Sequence, residues 1–391
     1  MKIILISPFP PAQNPRLVKE YKTFKAKGYE VKVLYGSRDK WANYFREDNP
    51  DFILIGGIMG SLTYLFTRVI FRIFIKPFSK SFSVNAISFF QYLYASKLKA
   101  DIYIGHNLAA LPLVVKLAKR NKTKCGFDAE DFHRQEINND KNSNEYTLAK
   151  YLEDNYLPQL NYFTSASPLI AAEYKKLYPQ LNPIIINNVF SSNFIVKSNK
   201  ENETLKLFWF SQTIGKNRGL ETVIQAIGLL NNPNITLTLL GMLSTIDEIY
   251  FRNFATEKGL ILNQLIFLSP VAPDNIFSIA SQYDIGLALE LNTPLNRDIC
   301  LTNKIFTYLS AGLAIIASET AAQKQFLNNY PLVGKSFPIG DINALAKIIE
   351  LYIQNPNVLL STKIAAFNLA KNELNWENEI AKFLLAINTS L

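Results

Sequence analysis

The sequence predicts an α/β protein with two doubly wound parallel sheets, one in each half of the chain. Apolar strand-like runs alternate with amphipathic helical runs on both sides of a polar stretch at 196–206. This alternation indicates parallel sheets with right-handed crossovers. The chain has 391 residues, 48% of them hydrophobic, which is enough for a core in each half. We therefore predict a first domain over 1–195, a linker over 196–206 and a second domain over 207–375, with the sheets facing a central cleft.

The first elements are predicted to form a β-α-β unit. Lys2 to Pro8 has the pattern of a strand, Pro15 to Gly28 that of a helix, and Glu30 to Gly36 that of a second strand. Proline at a helix start and glycine at its end are typical helix boundaries. The loop between the first strand and the helix has no GxGxxG pattern, which argues against a dinucleotide-dependent oxidoreductase.

An unusual helix is predicted from Ser61 to Phe78. Arg68, Arg72 and Lys76 are four residues apart, so a helix places them in one cationic stripe. Large apolar residues fill most of the other positions. Two interpretations stay open: a core helix with one solvated stripe, or an interfacial helix that lies on an anionic bilayer. A second aromatic helix is predicted over Ser83 to Lys99.

The second half repeats the alternation of strands and helices. Its six strand-like runs are LKLFWFS, ITLTLLG, LIFLSP, DIGLALE, LAIIAS and LVGKSF. Further helices are predicted in the tail over 342–354, 359–374 and 377–387. The pattern predicts a second doubly wound sheet with its own core.

The charge and the cysteine content narrow the class of protein. The net charge is +9, which suits anionic substrates or an anionic membrane surface. Nucleic acid is not an expected partner, because the sequence has no dense Lys/Arg run interleaved with aromatics. Two cysteines, Cys125 and Cys300, exclude a disulfide framework and indicate a reduced, cytoplasmic compartment. The short apolar run at the N-terminus is interpreted as a strand and not as a signal peptide.

Two strand-to-helix loops of the second half have the composition of phosphate sites. In the loop at 211–221, glycines permit close backbone approach and two cations stand at a helix start. The helix that follows residue 302 begins at the equivalent place two crossovers later. Two such sites on one sheet suit a diphosphate-bearing donor. The candidate diphosphate ligands are Gly215, Lys216, Arg218, Gly219, Asn303 and Lys304.

Candidate residues of the first half stand where two strands end. His106 and Asn107 follow one strand, and Glu130 and Asp131 follow the next. Adjacent residues on a strand point in opposite directions, so the two acids are not expected to face one ligand together. Asp128 with these two acids makes only a weak metal set, and no metal is predicted.

Taken together, these stretches resemble the GT-B glycosyltransferases of family 4 over nearly the full length. The matching stretches are PRLVKEYKTFKAKGYEVKVLY, DIYIGHNLAALPLVVKLAK, FDAEDFHRQE, YFTSASPLIAAEYKKLY with IINNVF, RGLETVIQAI and NKIFTYLSAGLAIIAS. The resemblance implies two Rossmann-like domains, with a nucleotide-diphosphate sugar on the second and the acceptor on the first. It also implies sugar transfer with retention, no metal or other cofactor, and a last helix at about 376–391 that packs back on the first domain.

The resemblance also assigns roles to individual residues. His106 is the predicted catalytic residue, in contact with the transferred sugar or orienting the acceptor. The predicted acceptor-side residues are Arg16, Asn107, Glu130 and Asp131. The predicted ligands of the donor nucleoside and sugar are Glu290, Asp298, Thr302 and Thr307.

The chain departs from the family pattern at three positions. The basic pair of the family falls on Gln212 and Arg218, with Lys216 as a substitute for the lost charge. The paired glutamates of the family fall on Ile299 and Thr307. A carboxylate from a shifted loop, Glu290 or Asp298, would then serve the donor.

Three functions follow from these features. The first is a retaining, metal-independent hexosyltransferase-like enzyme of polysaccharide biosynthesis, acting on a glycan or lipid-linked acceptor, with Arg68, Arg72 and Lys76 as candidate membrane contacts. The second is a non-catalytic partner of the same fold in glycan assembly, suggested by the missing glutamates. The third is a nucleotide-sugar epimerase of the same fold, which would need acids such as Glu130 and Asp131 at its site.

Overall fold

A computed structural model describes residues 1–37, 49–196 and 204–388. The chain forms two compact units, Met1–Ile186 with Ile380–Leu391, and Asn187–Glu379. Each unit is built on one parallel sheet with helices, as the predicted α/β class requires. Most of the predicted linker at 196–206 lies outside the described residues, which leave out 197–203.

The first unit contains a seven-stranded sheet in the order β3-β2-β1-β4-β5-β6-β7. All of its pairings are parallel. The order reverses between β1 and β4, and ligands of open α/β sheets bind at the carboxyl ends of the strands beside such a reversal. The strands are β1 Lys2–Ile6, β2 Glu30–Gly36, β3 Phe52–Ile55, β4 Ile102–His106, β5 Lys124–Ala129, β6 Tyr162–Ser165 and β7 Ile184–Ile185.

The helices of the first unit differ from the sequence prediction in three places. The helix predicted over Ser61 to Phe78 is a shorter α-helix followed by a π-helical turn at Phe71–Ile75. The helix predicted over Ser83 to Lys99 is only eight residues long. A helix that was not predicted starts after Ser143, whose hydroxyl accepts a hydrogen bond from the Tyr146 amide. The helices are α1 Pro15–Ala26, α2 Leu62–Ile70, α3 Ser88–Ala95, α4 Leu111–Asn121, α5 Asn144–Tyr156 and α6 Pro168–Leu177.

The second unit contains a six-stranded parallel sheet in the order β10-β9-β8-β11-β12-β13. It has all six strands that the sequence predicts, and its order reverses between β8 and β11. The reversal places the ends of those two strands beside each other, so the two predicted phosphate loops start from neighbouring strands. The strands are β8 Leu205–Thr213, β9 Ile235–Met242, β10 Leu265–Leu268, β11 Ile285–Ala288, β12 Ala314–Ser318 and β13 Gly334–Phe337.

One glycine fixes how closely a helix of the second unit approaches its sheet. A Cβ atom on Gly286 of β11 would lie 2.2 Å from the ring of Tyr308. The Tyr308 hydroxyl donates a hydrogen bond to the Leu287 carbonyl at 3.0 Å. The helices are α7 Leu220–Leu230, α8 Thr245–Glu257, α9 Ile276–Ala280, α10 Leu295–Ile299, α11 Asn303–Ser310, α12 Ala321–Asn329, α13 Ile342–Gln354 and α14 Pro356–Asn372.

The last helix, α15 Trp376–Asn388, starts in the second unit and ends in the first. The ring of Phe383 packs against Phe24 of α1, with ring centroids 5.1 Å apart. Phe383 and Ile387 are fully buried. No helix within the described residues has both the length and the apolar character needed to cross a bilayer.

Candidate functional site

The loop from β8 to α7 ends at a helix start that the chain does not cap with a side chain. Gly219 is the N-cap residue of α7 and has a left-handed backbone, with φ at 77°. A side chain there would be strained, and a Cβ atom would lie 3.3 Å from Leu289. A glycine has no side chain with which to cap the helix. The first backbone N–H groups of α7 are therefore available to an anion. Gly215 lies in the same loop with open space around it.

Arg218 is held beside this helix start by two neutral hydroxyls. Its guanidinium donates to Ser211 Oγ at 2.9 Å and to Thr213 Oγ1 at 3.0 Å. These contacts fix the orientation of the guanidinium without neutralising its positive charge. Lys216 instead lies over the ring of Tyr250, 3.9 Å from the centroid. Gln212 is exposed near the end of β8.

A second feature of this unit is an ion pair between Lys304 of α11 and Glu290, which follows β11. Lys304 Nζ lies 2.7 Å from Glu290 Oε1, and both side chains are mostly buried. Ser318 fixes the backbone of Glu290, since its Oγ accepts from the Glu290 amide at 2.8 Å and donates to the Glu290 carbonyl at 2.7 Å. The structure thus brings together two residues that the sequence assigned to separate roles, diphosphate binding and sugar binding.

The start of α11 also leaves a polar atom unsatisfied. Thr302 is its N-cap residue, and within residues 204–388 its buried Oγ1 has no hydrogen-bond partner. Asn303, the first residue of the helix, is exposed. A hydroxyl buried without a partner is costly, so it is expected where a ligand completes the site.

Three other positions of the predicted donor site have different environments. Thr307 is buried inside α11, and its hydroxyl donates to the Asn303 carbonyl at 3.1 Å. Ile299 is buried at the end of α10. Asp298 Oδ1 accepts from the Ala321 amide at 2.8 Å, so this carboxylate caps the start of α12. The structure therefore gives both Thr307 and Asp298 structural partners and leaves Glu290 as the carboxylate beside the helix start of α11.

The first unit contains a buried group of charges around His106. This His106 cluster consists of Arg16, Glu20, His106, Asp128 and Glu130. His106 Nε2 lies 3.1 Å from Glu20 Oε2, and His106 Nδ1 lies 3.5 Å from Glu130 Oε1 and 3.6 Å from Asp128 Oδ2. Glu130 is the partly exposed member, since 17% of its side chain reaches solvent.

Arg16 is the second cation of the His106 cluster, and it is fully buried. Its guanidinium contacts both carboxylate oxygens of Asp128, with Nη2 at 2.8 Å from Oδ1, and also donates to the Ile186 carbonyl. Thr164 donates a further hydrogen bond to Asp128 at 2.6 Å. The guanidinium of Arg16 thus neutralises Asp128 inside the unit, and its contact with an acceptor stays a prediction.

The charges of the His106 cluster determine its protonation. Burial alone lowers the pKa of His106, but the carboxylates of Glu20, Glu130 and Asp128 close to the ring outweigh it and raise the pKa to about 10. Burial raises the pKa of Asp128, whereas the charges of Arg16 and His106 hold it below its usual value. Near neutral pH, His106 is an imidazolium ion and Asp128 a carboxylate.

Three residues of the His106 cluster form the candidate metal site found within the described residues. Ligand atoms of Glu20, His106 and Asp128 lie within 4.8 Å of one another. However, Arg16 occupies both oxygens of Asp128, and an imidazolium has no lone pair for a metal. These residues fit an ion-pair cluster better than a metal centre, and the metal-independent reaction stays a prediction.

Asn107, directly after His106, has a backbone that asparagine rarely adopts. Its φ is 66° and its ψ is 156°. Such a conformation costs about 1–3 kcal/mol and is found mostly at functional sites. Its Oδ1 is buried and makes no hydrogen bond with the described part of the chain. Asn107 therefore stays a candidate for ligand contact.

The two acids after β5 have different surroundings. Glu130 accepts a hydrogen bond from Asn14 Nδ2 at 2.8 Å and belongs to the His106 cluster. The carbonyl of Asp131 accepts from the hydroxyl of Tyr174, and its charge acts on His133. Glu130 is thus the acid beside His106, and Asp131 belongs to the neighbourhood of His133.

Sequence reasoning missed Glu20. Arg16 and Glu20 are four residues apart on α1, and both are fully buried. Opposite charges at this spacing lie on one helix face, but on most helices that face is solvated. The available signal was the pair's position among the apolar residues of α1, such as Leu17 and Phe24, which are also buried.

Replacing His106 with glutamine tests the charge on the imidazole. Since the folded pKa of about 10 lies above the ordinary value of 6.5, the stabilising charge is fully present below pH 6.5 and is lost as the pH rises through 10. At pH 6 we expect the replacement to lower the free energy of unfolding by roughly 3–5 kcal/mol, as for a broken buried ion pair. The deficit should shrink steadily towards pH 10, as measured by denaturant unfolding.

His133→Gln is the matched control, because His133 is the only other histidine of the chain. Its partner is Glu136, which is 45% exposed. We expect a smaller loss of stability for this variant. An effect of His106→Gln that does not change between pH 6 and pH 10 would mean that His106 is neutral in the folded protein.

Comparisons with known proteins identify the fold. No protein-family profile matches the chain, and no curated protein matches it significantly in sequence. Among solved structures, sucrose-phosphate synthase from Thermosynechococcus elongatus superposes with a TM-score of 0.77 at 14% identity, over 99% of this chain and 98% of that one. Anabaena HepE in complex with UDP superposes with a TM-score of 0.72 at 14% identity, over 100% of both chains. The lipopolysaccharide outer core galactosyltransferase WaaB gives 0.64 at 11% identity over both full chains.

These likenesses, together with the two parallel sheets, show that the chain has the GT-B fold of glycosyltransferases. The fold class expected from the sequence is thereby confirmed. At identities of 11–14%, the likeness extends to the fold and not to the ligands.

Proposed function

We propose that the protein is a glycosyltransferase that moves a sugar from a nucleotide-diphosphate sugar to an acceptor. The observation that carries this proposal is Arg218, oriented by two neutral hydroxyls beside the uncapped start of α7. A fixed guanidinium and free helix N–H groups together suit a diphosphate. The solved structures of HepE with UDP and with UDP-glucose support a donor of this kind on this fold.

The charges of the site suggest how the reaction is assisted. In the departure of a nucleoside diphosphate, negative charge grows on the phosphate oxygens, and Arg218 with the N–H groups of α7 would stabilise it. The start of α11, with the unsatisfied hydroxyl of Thr302, would bind a second part of the donor. Glu290, oriented by Lys304 and by Ser318, would accept hydrogen bonds from donor hydroxyls in place of the missing glutamates.

In the first unit, we assign the acceptor side to Asn107 and Glu130. The buried His106 and Arg16 hold Glu130 and Asp128 in place, so His106 acts as a positioning residue and not as a proton-transfer group. A family 4-like mechanism, with retention and without a metal, is part of the proposal. So are a glycan or lipid-linked acceptor, a place in polysaccharide biosynthesis and a cytoplasmic location, which rest on the resemblance and on the two free cysteines.

A second function is favoured by one observation. Ile299 and Thr307 stand where the family has its paired glutamates, and both are buried. Ile299 is apolar, and the hydroxyl of Thr307 is bonded within its own helix. A protein that binds a nucleotide without transferring sugar would show this loss. Binding of a nucleoside diphosphate combined with no turnover of any sugar donor, with or without acceptors, would favour that non-catalytic role. Conversion of one free nucleotide sugar into another would instead identify an epimerase.

Thermal unfolding with nucleotides tests the donor site directly. A ligand at about 100 times its dissociation constant stabilises the folded state by about 2.7 kcal/mol. For a unit of this size, that corresponds to a rise in Tm of roughly 5–10 °C. We expect this rise with one of UDP, GDP, ADP or CMP and its sugar conjugates, and no rise with the matching nucleoside or with inorganic phosphate. If none of these nucleotides raises Tm, the proposed donor site is wrong.

A further inference from the structure

The surface of α2 and of the π-helical turn after it is apolar where most helices are polar. Six large side chains on it expose more than half of their area, from 52% for Val69 to 85% for Leu62. Thr67 and Ile75 are buried on the opposite side and anchor the segment to the unit. The exposed residues, which we name the α2 face, are Leu62, Leu65, Phe66, Val69, Ile73 and Phe74.

The spacing of these residues makes the α2 face one continuous stripe. Leu62, Leu65, Phe66 and Val69 follow the i, i+3, i+4, i+7 pattern of a single helix face. The helix is well formed, since Ser61 caps it by accepting from the Tyr64 amide at 3.2 Å. In a core helix this stripe would face inward, so the first interpretation of the sequence does not hold. A large exposed apolar patch marks a surface that contacts something else.

The charge around the α2 face indicates what covers it. Residues 52–100 contain six Lys and Arg and no Asp or Glu, although Asp51 and Asp101 stand at either side. Arg72 and Lys76 are exposed within the π-helical turn and directly after it, and Arg68 lies over the ring of Tyr64 at 4.7 Å. An apolar stripe with cations and no acids matches a surface that is apolar inside and anionic outside. A second copy of the chain would bring like charges together.

We propose that the α2 face docks on an anionic lipid bilayer. The helix lies in the plane of the interface, with Phe66 and Phe74 among the acyl chains and Arg68, Arg72 and Lys76 at the lipid phosphates. Residues 62–75 reach only about 21 Å at 1.5 Å per residue, which is too short to cross a hydrocarbon core of about 30 Å. Lying on the surface is therefore the geometry that this segment allows.

This inference does not depend on the proposed glycosyltransferase function. The α2 face contains none of the residues assigned to nucleotide or acceptor binding, and lipid binding needs no turnover. Its test can therefore fail while nucleotide binding succeeds, or the reverse.

Flotation of the full chain with lipid vesicles tests the proposal. We expect the protein to float with phosphatidylcholine vesicles that contain phosphatidylglycerol, and much less with phosphatidylcholine alone. Arg68→Gln, Arg72→Gln and Lys76→Gln together should lower the partition coefficient about 100-fold, at about fivefold per cation near an anionic surface. Raised salt should weaken the binding of the unchanged protein through the same charges. Phe66→Ser with Phe74→Ser should abolish flotation at any salt.

Two matched variants control for charge and apolar content elsewhere. Lys335→Gln, Lys347→Gln and Lys371→Gln remove the same charge from exposed positions of the second unit. Ile246→Ser with Leu262→Ser removes two side chains that are 78% and 77% exposed there. Both should float like the unchanged protein, and all variants should keep its circular dichroism and Tm.

Three outcomes would overturn the proposal. One is no flotation of the unchanged protein with anionic vesicles. Another is flotation that survives Phe66→Ser with Phe74→Ser. The third is self-association of the unchanged protein in light scattering that this double variant abolishes without any effect on lipid, which would assign the α2 face to contact between copies.

Discussion

Replacing Arg16 with leucine is expected to lower the free energy of unfolding by roughly 3–5 kcal/mol, the usual cost of leaving a buried charge unpaired. The guanidinium of Arg16 contacts both oxygens of Asp128 and the Ile186 carbonyl, and Glu20 lies four residues further along α1. Without Arg16, the His106 cluster would keep three carboxylates and one imidazolium. Denaturant unfolding at pH 7 measures the change.

Two variants separate lost charge from lost volume. Lys2→Leu removes one cation of an exposed ion pair with Glu30, whose side chains are 56% and 58% exposed, and should change stability by less than about 1 kcal/mol. Arg16→Lys keeps the charge but cannot bond both Asp128 oxygens and the carbonyl together. We expect the free energy of unfolding of Arg16→Lys to lie between those of the leucine variant and the unchanged protein. A leucine variant as stable as the Lys2 variant would show that the cluster contributes nothing net.

The sheets could be predicted from the sequence because their signal is local. Runs such as ITLTLLG and LAIIAS are mostly apolar and contain no charged residue, as expected of strands covered on both faces of a parallel sheet. Two elements of the first unit, β3 and α5, were not predicted from the sequence, and the reasons are also local. Strand β3, at Phe52–Ile55, is four residues long and followed by two glycines, and α5 starts inside a polar stretch that resembles a loop.

The candidate site of the second unit was predictable to the level of loops and not of contacts. Glycine, lysine and arginine at a helix start indicate a phosphate site whatever the partners are. The contacts of the individual residues depend on other elements. Lys304 pairs with Glu290, fourteen residues earlier, and Asp298 caps α12. Sequence spacing cannot show such pairings, because they depend on how neighbouring strand ends are arranged.

In the first unit, the sequence predicted the position of His106 at a strand end but not the surroundings of its side chain. A strand end with His106 suggests an exposed catalytic group, yet the side chain is fully buried. Its burial is tolerated only because Glu20 of α1 and Asp128 of β5 supply opposite charges. A single sequence cannot reveal that these distant residues meet. We therefore propose that His106 holds Glu130 in place, and its contact with the sugar stays a prediction.

Replacing Arg218 with alanine is expected to lower kcat by about 10²–10³-fold, the range for removing one preorganised donor from a developing negative charge. Affinity for the nucleoside diphosphate that raises Tm should fall as well, because its phosphates lose a charge-assisted hydrogen bond. Folding should be little affected, since Arg218 is only partly buried and its bonds are to the Ser211 and Thr213 hydroxyls. Titration calorimetry and turnover of the matching sugar donor measure the two effects.

Arg252→Ala is the matched control for this prediction. Arg252 lies on α8 of the same unit, 41% exposed, and pairs with Glu248 one helical turn away at 2.8 Å. It should leave nucleotide affinity and turnover unchanged.

Ser211→Ala with Thr213→Val adds a finer test, because it keeps the Arg218 charge and removes the two oxygens that orient the guanidinium. If orientation matters, this pair should lose a large part of what Arg218→Ala loses; if charge alone matters, it should behave like Arg252→Ala. Full nucleotide affinity in Arg218→Ala would place the diphosphate elsewhere, with the start of α11 as the remaining anion site of this sheet.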